Sequence, residues 1–219
     1  MKIAIDGPSG AGKSTIAKIL SEKLGYTYID TGAMYRSVGL FAARRGVLND
    51  MPALIKMLDE IDIDIKHIDG TQHIFLCGED VSDKIRTPEI SMAASDVSAV
   101  GEVRKKLVAL QQGLAEKYSV IMDGRDIGTH VLPNADVKIF LTADVSKRAK
   151  RRFDELIAKN ESVTYEDVLE DMKKRDYNDS HRAVSPLRRA GDAIELDTSD
   201  LSLEESTRAA LNIITERLK

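Results

Sequence analysis

The amino-acid sequence predicts an α/β protein with a parallel β-sheet, and three observations lead to this fold class. Residues 2–6 form a short, mostly apolar stretch, and after a glycine-rich segment the apolar residues from Ile16 to Leu24 recur at helical spacing. A second strand-like stretch follows at residues 26–30, which gives the order of a β-α-β unit and favours parallel pairing. The buried-strand pattern then recurs at residues 119–123, 137–141 and 193–197.

The stretches between these strands are predicted to be largely helical. Thr87 followed by Pro88 is typical of a helix start, and Gly101 is where the long helix that follows is expected to break. The predicted helices include residues 31–45, 51–60, 88–117, 147–152, 164–180 and 202–218.

Residues 61–88 depart from the helical period and predict a small β insertion. Isoleucines alternate with polar residues from residue 61, Asp69-Gly70 is a hairpin turn signal, and residues 73–77 form the return strand. A local hairpin cannot be a crossover of the parallel sheet, so we expect a separate small sheet here. The predicted organisation is a core at 1–60, an insertion at 61–88 and a continued core at 89–219.

The glycine-rich segment fits the pattern G-x-x-x-x-G-K-S/T of a phosphate-binding loop. Its glycines allow backbone N–H groups to turn inward around phosphate oxygens, and the helix that follows adds its positive dipole end. Lys13 adds a mobile charge, and the Ser14 hydroxyl is suited to ligate Mg²⁺. A glycine-rich turn that binds nothing is the alternative, which the strand–loop–helix context disfavours. The expected nucleotide-binding residues are Gly7, Pro8, Ser9, Gly10, Ala11, Gly12, Lys13, Ser14 and Thr15.

Asp123 is a second candidate for the metal site. It ends an apolar strand, the position at which a carboxylate can orient Mg²⁺ through water in phosphate-loop proteins. The alternative is that Asp123 only opens a turn.

Composition argues against nucleic acid and membranes as partners. The 219 residues carry a formal net charge of −4, so the chain as a whole has no basic character that would attract either one. No apolar run approaches the length needed to cross a bilayer. Cys77 is the single cysteine, which excludes an internal disulfide and fits a reducing cytoplasm; a half-buried strand position is expected for it.

The number and placement of the arginines indicate which class of nucleotide-binding protein this is. Two anionic substrates that meet end to end need many fixed donors, and the guanidinium fork suits phosphate oxygens. Phosphoryl transfer depends on such positioning and charge neutralisation more than on covalent chemistry. No N-K-x-D motif for guanine occurs, which argues against a GTPase. Arginines near predicted strand ends and helix starts are Arg36, Arg104, Arg125, Arg148, Arg151, Arg152, Arg175, Arg182, Arg188 and Arg189.

Arg36 and the arginines of the basic run at residues 147–152 also have other interpretations. Arg36 lies early in its predicted helix, where a cation opposes the dipole unless an anion binds, but it is equally explained as a solvated side chain. The basic run at residues 147–152 fits a solvated face, a nucleic-acid patch, or arginines that close over transferring phosphates. In a net-acidic chain with a phosphate loop, the third interpretation is favoured.

Several stretches together resemble the bacterial cytidylate kinases, which are P-loop nucleoside monophosphate kinases. The phosphate loop is shared with a very large class, whereas G-R-D-x-G-T from Gly124 and R-A-x-x-P-L from Arg182 are far more specific in combination. The resemblance covers essentially the whole chain. The stretches that carry it are residues 5–14, 30–36, 79–82, 85–87, 93–95, 123–129 and 182–187.

The resemblance implies a P-loop NTPase fold. It implies a five-stranded parallel sheet flanked by helices, a small β-containing insertion that binds the monophosphate, and an arginine-rich lid at about residues 147–165. The implied reaction is the ATP-dependent phosphorylation of CMP and dCMP to CDP and dCDP, with Mg²⁺. A cytoplasmic monomer is expected.

Roles for individual residues are likewise implied by the resemblance. Arg36, Arg125 and Arg182 would hold the acceptor phosphate, and Arg175 and Asp179 would face its ribose or phosphate. Ser95, Arg104 and Asp126 would bind the base. Thr31 stands where the family often has serine, which keeps the hydroxyl but adds a methyl group. The implied catalytic residues are Lys13, Arg125, Arg148, Arg151 and Arg152.

The assignment of the base can be checked chemically. Asp126 can accept from the amino group of cytosine, and Arg104 can donate to N3 or O2. Uracil has an acceptor at position 4, where cytosine has its amino donor, and a donor at N3, where cytosine has an acceptor. A polar mismatch of this kind can discriminate between two substrates by a factor of about 10⁴–10⁵. The alternative is that Asp126 only forms an ion pair with Arg125 or Arg104.

Two other functions remain open from the sequence. One is a P-loop kinase for a different small acceptor, such as another nucleoside monophosphate or a sugar. The other is a nucleotide-dependent switch or binding module without turnover, which the density of arginine beyond the phosphate loop disfavours.

Overall fold

The computed structural model describes residues 1–68 and 71–218. They divide into two compact units. The first contains Met1–Ile29 and the segment from Lys117 to the end of the described chain, and the second contains Asp30–Glu116. Among the helices of the described residues, none combines the length and the apolar character that crossing a bilayer requires.

Strands and helices alternate along most of the chain. The strands are β1 (Lys2–Asp6), β2 (Thr27–Asp30), β3 (Ile63–Ile68), β4 (Thr71–Leu76), β5 (Glu79–Asp80), β6 (Val120–Gly124), β7 (Val137–Thr142) and β8 (Ile194–Asp197). The α-helices are α1 (Lys13–Leu24), α2 (Thr31–Arg45), α3 (Met51–Met57), α4 (Pro88–Ser98), α5 (Gly101–Lys117), α6 (Val145–Ala158), α7 (Tyr165–His181) and α8 (Leu203–Arg217). Short 3₁₀ turns lie at Leu58–Glu60 and Lys84–Arg86, and a π-helical turn lies at Ile127–Val131.

The first unit contains a five-stranded sheet in the order β2-β6-β1-β7-β8, which confirms the predicted fold class. Strand β1 is central and pairs in parallel with β6 on one side and β7 on the other. At its carboxyl end Asp6 is opposite Gly124 of β6 and Phe140 of β7. The glycine loop therefore leaves the middle of the sheet, at the edge where α/β proteins bind ligands.

Helices cover this sheet because their apolar residues recur at helical spacing. Ile16 and Leu20 of α1 and Ile214 of α8 are buried in one core with Ile3 and Ile5 of β1. The basic run at 147–152 lies on α6, whose Ala149 and Leu156 pack with Val168 and Met172 of α7. None of the described residues of the second unit belongs to this core, and that unit contains a separate three-stranded sheet.

Helices α2 and α4 of the second unit pack closely at Gly39. A Cβ at this glycine would lie 3.0 Å from the backbone nitrogen of Ala94, so a larger residue would force the two helices slightly apart. Thr87 caps α4 through its side chain, and the predicted break at Gly101 separates α4 from α5.

The predicted insertion contains the three-stranded antiparallel sheet β3-β4-β5. Strands β3 and β4 pair with Ile63 opposite Leu76, and the short strand β5 was not predicted. The Asp69-Gly70 turn lies outside the described residues. The expectation for Cys77 was wrong: it is exposed and follows β4 with a φ of +50°. The boundaries of the insertion at 61–88 and of the lid stay predictions.

Candidate active site

Three glycines give the phosphate loop its shape. Gly7, Gly10 and Gly12 have φ values of +150°, +73° and +90°, which favour glycine. A Cβ at Gly7 would lie 1.9 Å from the carbonyl oxygen of Leu141 on the neighbouring strand β7. Gly12 is the N-cap of α1 and brings no side-chain oxygen to the first N–H groups of that helix. These donors are directed by the loop in the way that suits a phosphate group.

Lys13 is buried and folded back on the loop. Its Nζ donates to the Pro8 carbonyl oxygen at 2.7 Å, and the residue is 5% exposed. Burial, and next the charge of Arg125, lower the pKa of Lys13 to about 7. A buried ammonium in this state gains from an anion that restores its charge, and a phosphate group is such an anion.

Ser14 and Asp123 are hydrogen-bonded to each other. The Ser14 Oγ donates to Asp123 Oδ2 at 2.7 Å, and the Tyr28 hydroxyl donates to Asp123 Oδ1 at 2.9 Å. A hydroxyl and a carboxylate are the hard oxygen donors that Mg²⁺ prefers when phosphates and water complete its shell. The described residues contain no cluster of three or more His, Cys, Asp or Glu side chains arranged for a metal. The pair fits a magnesium ion that arrives with a nucleotide.

Asp6 ties the end of β1 to the segment after β6. Its Oδ1 accepts from the Ile127 N–H at 2.8 Å, and its Oδ2 accepts from the Gly128 N–H at 2.7 Å. Burial raises the pKa of Asp6 to about 6, against the opposing effect of these two hydrogen bonds. Both amides belong to the π-helical turn that begins directly after Asp126.

The first unit pairs several of the predicted arginines with aspartates. Arg125 Nε donates to Asp179 Oδ2 at 2.6 Å, and Arg182 Nη2 donates to Asp126 Oδ1 at 3.3 Å. Burial would raise the pKa of Asp179, but Arg125, with Arg182 and Arg175, holds it below its usual range. The structure therefore brings Arg125, Asp126, Arg175, Asp179 and Arg182 into one charged cluster.

Helix α6 presents its arginines in three different environments. Arg148 is 5% exposed and donates to the Ala143 and Ser9 carbonyl oxygens at 2.8 and 2.9 Å, while its Nη1 and Nη2 bind Asp176 at 3.2 and 2.6 Å. Arg151 donates to the Thr198 carbonyl oxygen at 2.6 Å. Arg152 pairs with Glu155 at 3.2 Å on the surface. Arg148 thus binds the phosphate loop itself through Ser9.

The second unit holds Arg36 at the start of α2. Asp30 caps this helix through the Ala33 N–H at 2.8 Å and accepts from Arg36 Nη2 at 3.0 Å. The Nε of Arg36 is buried and has no hydrogen-bond partner among the described residues. Gly32 leaves room for this arrangement, since a Cβ there would lie 3.0 Å from Arg36 Nη1. A buried donor of this kind requires an acceptor, and an anion supplies one.

Arg104 lies in the same unit as Thr31 and Ser95. It is 2% exposed, its Nη1 is 3.5 Å from the Ser98 carbonyl oxygen, and its guanidinium lies 5.6 Å from the centre of the Tyr35 ring. Thr31 is buried at the first position of α2, and Ser95 is half buried on α4.

Sequence reasoning missed the partners that hold these residues in place. Asp6, Tyr28, Asp30 and Asp176 each bind a predicted site residue or its loop, yet none was singled out. Asp6 and Asp30 carried a usable signal, since each is an acid at the end of a predicted strand, as Asp123 is. Tyr28 and Asp176 had no signal in the sequence, because their partners are distant along the chain.

Comparison with known proteins identifies the family. The family model described as Cytidylate kinase matches residues 3–216. A cytidylate kinase of Caldicellulosiruptor bescii is 54% identical over 220 residues, covering 100% of this chain and 97% of the relative. The cytidylate kinase of Bacillus subtilis strain 168 is 49% identical over 218 residues, covering 99% and 97%.

Solved structures agree on the fold alone. A shikimate kinase from Bacteroides thetaiotaomicron has a TM-score of 0.53 at 12% identity and covers 100% of this chain and 98% of its own. An uncharacterized protein from Eubacterium ventriosum has a TM-score of 0.52 at 18% identity, with coverage of 99% and 98%. The full-length matches in sequence are decisive: the chain belongs to the cytidylate kinase family.

Proposed function

We propose that this chain transfers the γ-phosphoryl group of ATP to CMP and dCMP, which gives ADP with CDP or dCDP. The observation that supports the proposal most strongly is the full-length match to cytidylate kinases at 54% and 49% sequence identity. The glycine loop by itself supports only the binding of a nucleoside triphosphate. The acceptor is therefore argued from the family and from the arginines and aspartates beyond the loop.

Residues 7–15 bind the phosphates of ATP. The uncapped N–H groups at the start of α1 and the ammonium of Lys13 donate to phosphate oxygens. On this proposal Lys13 exchanges the Pro8 carbonyl for a phosphate oxygen. Ser14, with Asp123 through water, would hold Mg²⁺, and the metal when bound would neutralise phosphate charge.

Arg36, Arg125 and Arg182 are assigned to the acceptor phosphate. The buried Nε of Arg36, without a partner among the described residues, supports this role for the second unit. In the first unit, Arg125 pairs with Asp179 and Arg182 pairs with Asp126, so carboxylates hold both guanidinium groups in position. Arg175 and Asp179 are assigned to the ribose or the phosphate.

Asp126, Arg104 and Ser95 are assigned to the base. The burial of Arg104 and Asp126, at 2% and 4% exposed, supports a role in which a mismatched base leaves polar groups without partners. The ion pair of Asp126 with Arg182 supports an alternative that the sequence did not suggest, in which Asp126 only orients that arginine. Thr31 is assigned to the sugar, where its methyl group affects the tolerance for deoxyribose.

Direct in-line transfer needs no general base. The attacking oxygen of the CMP phosphate is already ionised; it forms a bond to the γ-phosphorus while the bond to the β,γ-bridging oxygen breaks and ADP leaves. Arg125, Arg151 and Arg152 stabilise the charge on the transferring group together with Lys13. Arg148 contributes by holding the phosphate loop in place, because its side chain donates to the Ser9 carbonyl oxygen and to Asp176. The chain is proposed to act as a cytoplasmic monomer without a nucleic-acid partner.

An acceptor panel tests the proposal. Purified protein with ATP and Mg²⁺ is given CMP, dCMP, UMP or AMP, and ADP release is followed by a coupled assay. We expect the highest kcat/KM with CMP or dCMP. Preference for another acceptor would indicate a different P-loop kinase. ATP binding without acceptor-dependent ADP release would indicate a switch or binding module.

A further inference from the structure

Asp6 is a buried carboxylate for which the proposed function gives no role. It is the last residue of β1, directly before Gly7, and is 4% exposed. Burying a carboxylate is unfavourable unless hydrogen bonds compensate. Both of its oxygens are used: Oδ1 accepts from the Ile127 N–H at 2.8 Å and Oδ2 from the Gly128 N–H at 2.7 Å.

These two bonds fix the backbone that follows Asp126. The Asp126 carbonyl oxygen accepts from the N–H groups of His130 and Val131, at 2.9 and 3.1 Å, and so closes the π-helical turn. Asp126 itself has φ −146° and ψ 25°, outside the regular helical and extended regions. The turn holds the carbonyl of Asp126, and the Asp6 carboxylate holds the next two amides. The peptide group between Asp126 and Ile127 is therefore held at both its carbonyl and its N–H, which restricts rotation about ψ of Asp126.

We propose that Asp6 is a positioning residue for acceptor selectivity. It fixes the two peptide groups after Asp126 and thereby the direction in which the Asp126 carboxylate leaves the main chain. The inference rests on the proposed function, in which Asp126 accepts from the amino group of cytosine. Because Asp6 immediately precedes the glycine loop, one residue links the start of the proposed donor-binding loop to the turn that follows Asp126.

A role for Asp6 at the donor nucleotide would have a different signature. Asp6 is near enough to Lys13 for each charge to affect the pKa of the other. If Asp6 acted mainly through Lys13, its removal would change the KM for ATP and leave the choice between CMP and UMP untouched. The geometry favours the acceptor side, because both oxygens point to the amides after Asp126.

The substitution Asp6→Asn tests the proposal. Asparagine keeps one acceptor oxygen, but its NH₂ group faces an N–H donor, so one amide loses its partner. We expect the CMP-to-UMP ratio of kcat/KM to fall by about tenfold or more, with the KM for ATP changed by less than about twofold. A ratio that stays within about twofold of the starting protein overturns the proposal. Partial unfolding cannot produce the expected result, because it lowers the apparent kcat/KM for CMP and for UMP by the same factor and leaves their ratio unchanged.

Asp136→Asn is the matched control. Asp136 Oδ2 accepts from the Lys2 N–H at 2.6 Å, the same kind of bond at the opposite end of β1. We expect this variant to leave the CMP-to-UMP ratio unchanged. A ratio that falls equally in both variants would indicate a general effect of loosening β1 and would overturn the proposal.

Gly128→Ala provides a second variant if Asp6→Asn does not fold. The added Cβ would lie 3.0 Å from Lys138 Cδ and 3.4 Å from Asp6 Oδ2, so it crowds the contact between Asp6 and this turn without removing the charge. The same loss of selectivity is expected, and an unchanged ratio counts against the proposal.

A double-mutant cycle separates this inference from the proposed function. If Asp6 acts through Asp126, adding Asp6→Asn to Asp126→Asn changes the ratio no further. An additive loss would overturn the inference while the assignment of Asp126 stands. A starting protein that does not distinguish CMP from UMP would instead refute the proposed function.

Discussion

The hydroxyl of Ser14 donates a 2.7 Å hydrogen bond to Asp123 Oδ2 and so joins the first turn of α1 to the end of β6. The second carboxylate oxygen of Asp123 is held by Tyr28 at 2.9 Å. Hydrogen bonds within the protein thus orient both side chains that are proposed to bind the metal.

Ser14→Ala should increase the Mg²⁺ concentration needed for half-maximal activity. The variant removes a proposed ligand, whereas Tyr28→Phe removes only the second partner of Asp123 and serves as the matched control. We expect a rise of about tenfold or more for Ser14→Ala and a smaller one for Tyr28→Phe. Magnesium titrations at saturating nucleotides measure both. Equal responses of the two variants would contradict the assignment of Ser14.

Lys13→Ala should abolish most turnover and leave the fold intact. In the proposed function Lys13 supplies a charge to the transferring phosphates, and the loss of such a contact costs on the order of 10²–10³ in kcat. Lys18→Ala, at an exposed position of the same helix, is the control and should retain activity. Steady-state kinetics and a thermal melt are the measurements, and an unchanged kcat would refute the assignment.

Asp126→Asn should raise the KM for CMP and relax selectivity against UMP. The amide loses the strong acceptor for the cytosine amino group and can donate to the uracil carbonyl instead. Asp192→Asn removes a different aspartate of the first unit, one that pairs with Lys138 at 2.8 Å, and should leave the ratio unchanged. If the CMP-to-UMP ratio is constant in Asp126→Asn, this residue serves only its pair with Arg182.

Gly32→Ala should weaken CMP binding without weakening the fold. Its Cβ would lie 3.0 Å from Arg36 Nη1 and 3.2 Å from Asp30 Oδ1, so the guanidinium must move. Alanine in a helix is more favourable than glycine by about 1 kcal/mol, so stability should not fall. Gly113→Ala in α5 has nothing within 4 Å of the new Cβ and is the control. We expect the KM for CMP to rise several-fold only in Gly32→Ala.

The buried ammonium of Lys13 should make stability depend on pH. Its pKa is lowered from 10.5 to about 7 in the folded protein, so between these values the unfolded chain binds more protons. The free energy of unfolding therefore rises with pH across this interval. Lys13→Met lacks the group, and urea titrations at pH 7 and at about pH 9 should show a smaller rise for this variant. Identical pH dependence in the two proteins would contradict the shifted pKa.

Local sequence patterns predicted most of the regular structure. The alternation of apolar residues predicted the strands, and Thr87 with Pro88 predicted the start of α4, where the Thr87 side chain accepts from Ile90 at 3.2 Å. These features depend on neighbours within a few residues, which the sequence displays directly. The glycine loop was predicted for the same reason.

The parts that were not predicted depend on partners far along the chain. The π-helical turn at Ile127–Val131 donates its first two N–H groups to Asp6, more than a hundred residues earlier. Arg148 was interpreted from its position in a basic run, but its contacts are with Ser9 and Asp176. Cys77 was expected in a strand, yet the strand ends one residue earlier. Tertiary contacts decided the first two cases, whereas Cys77 and Gly78, both with positive φ, form the short turn between β4 and β5.

Gly7 has a consequence for anyone who reuses this scaffold. A Cβ at position 7 would lie 1.9 Å from the Leu141 carbonyl oxygen, which is part of the neighbouring strand and not of a nucleotide. A designer who removed every nucleotide-binding group would therefore still find position 7 closed to all other amino acids. The first glycine of the loop is required by the architecture of the sheet as well as by the chemistry.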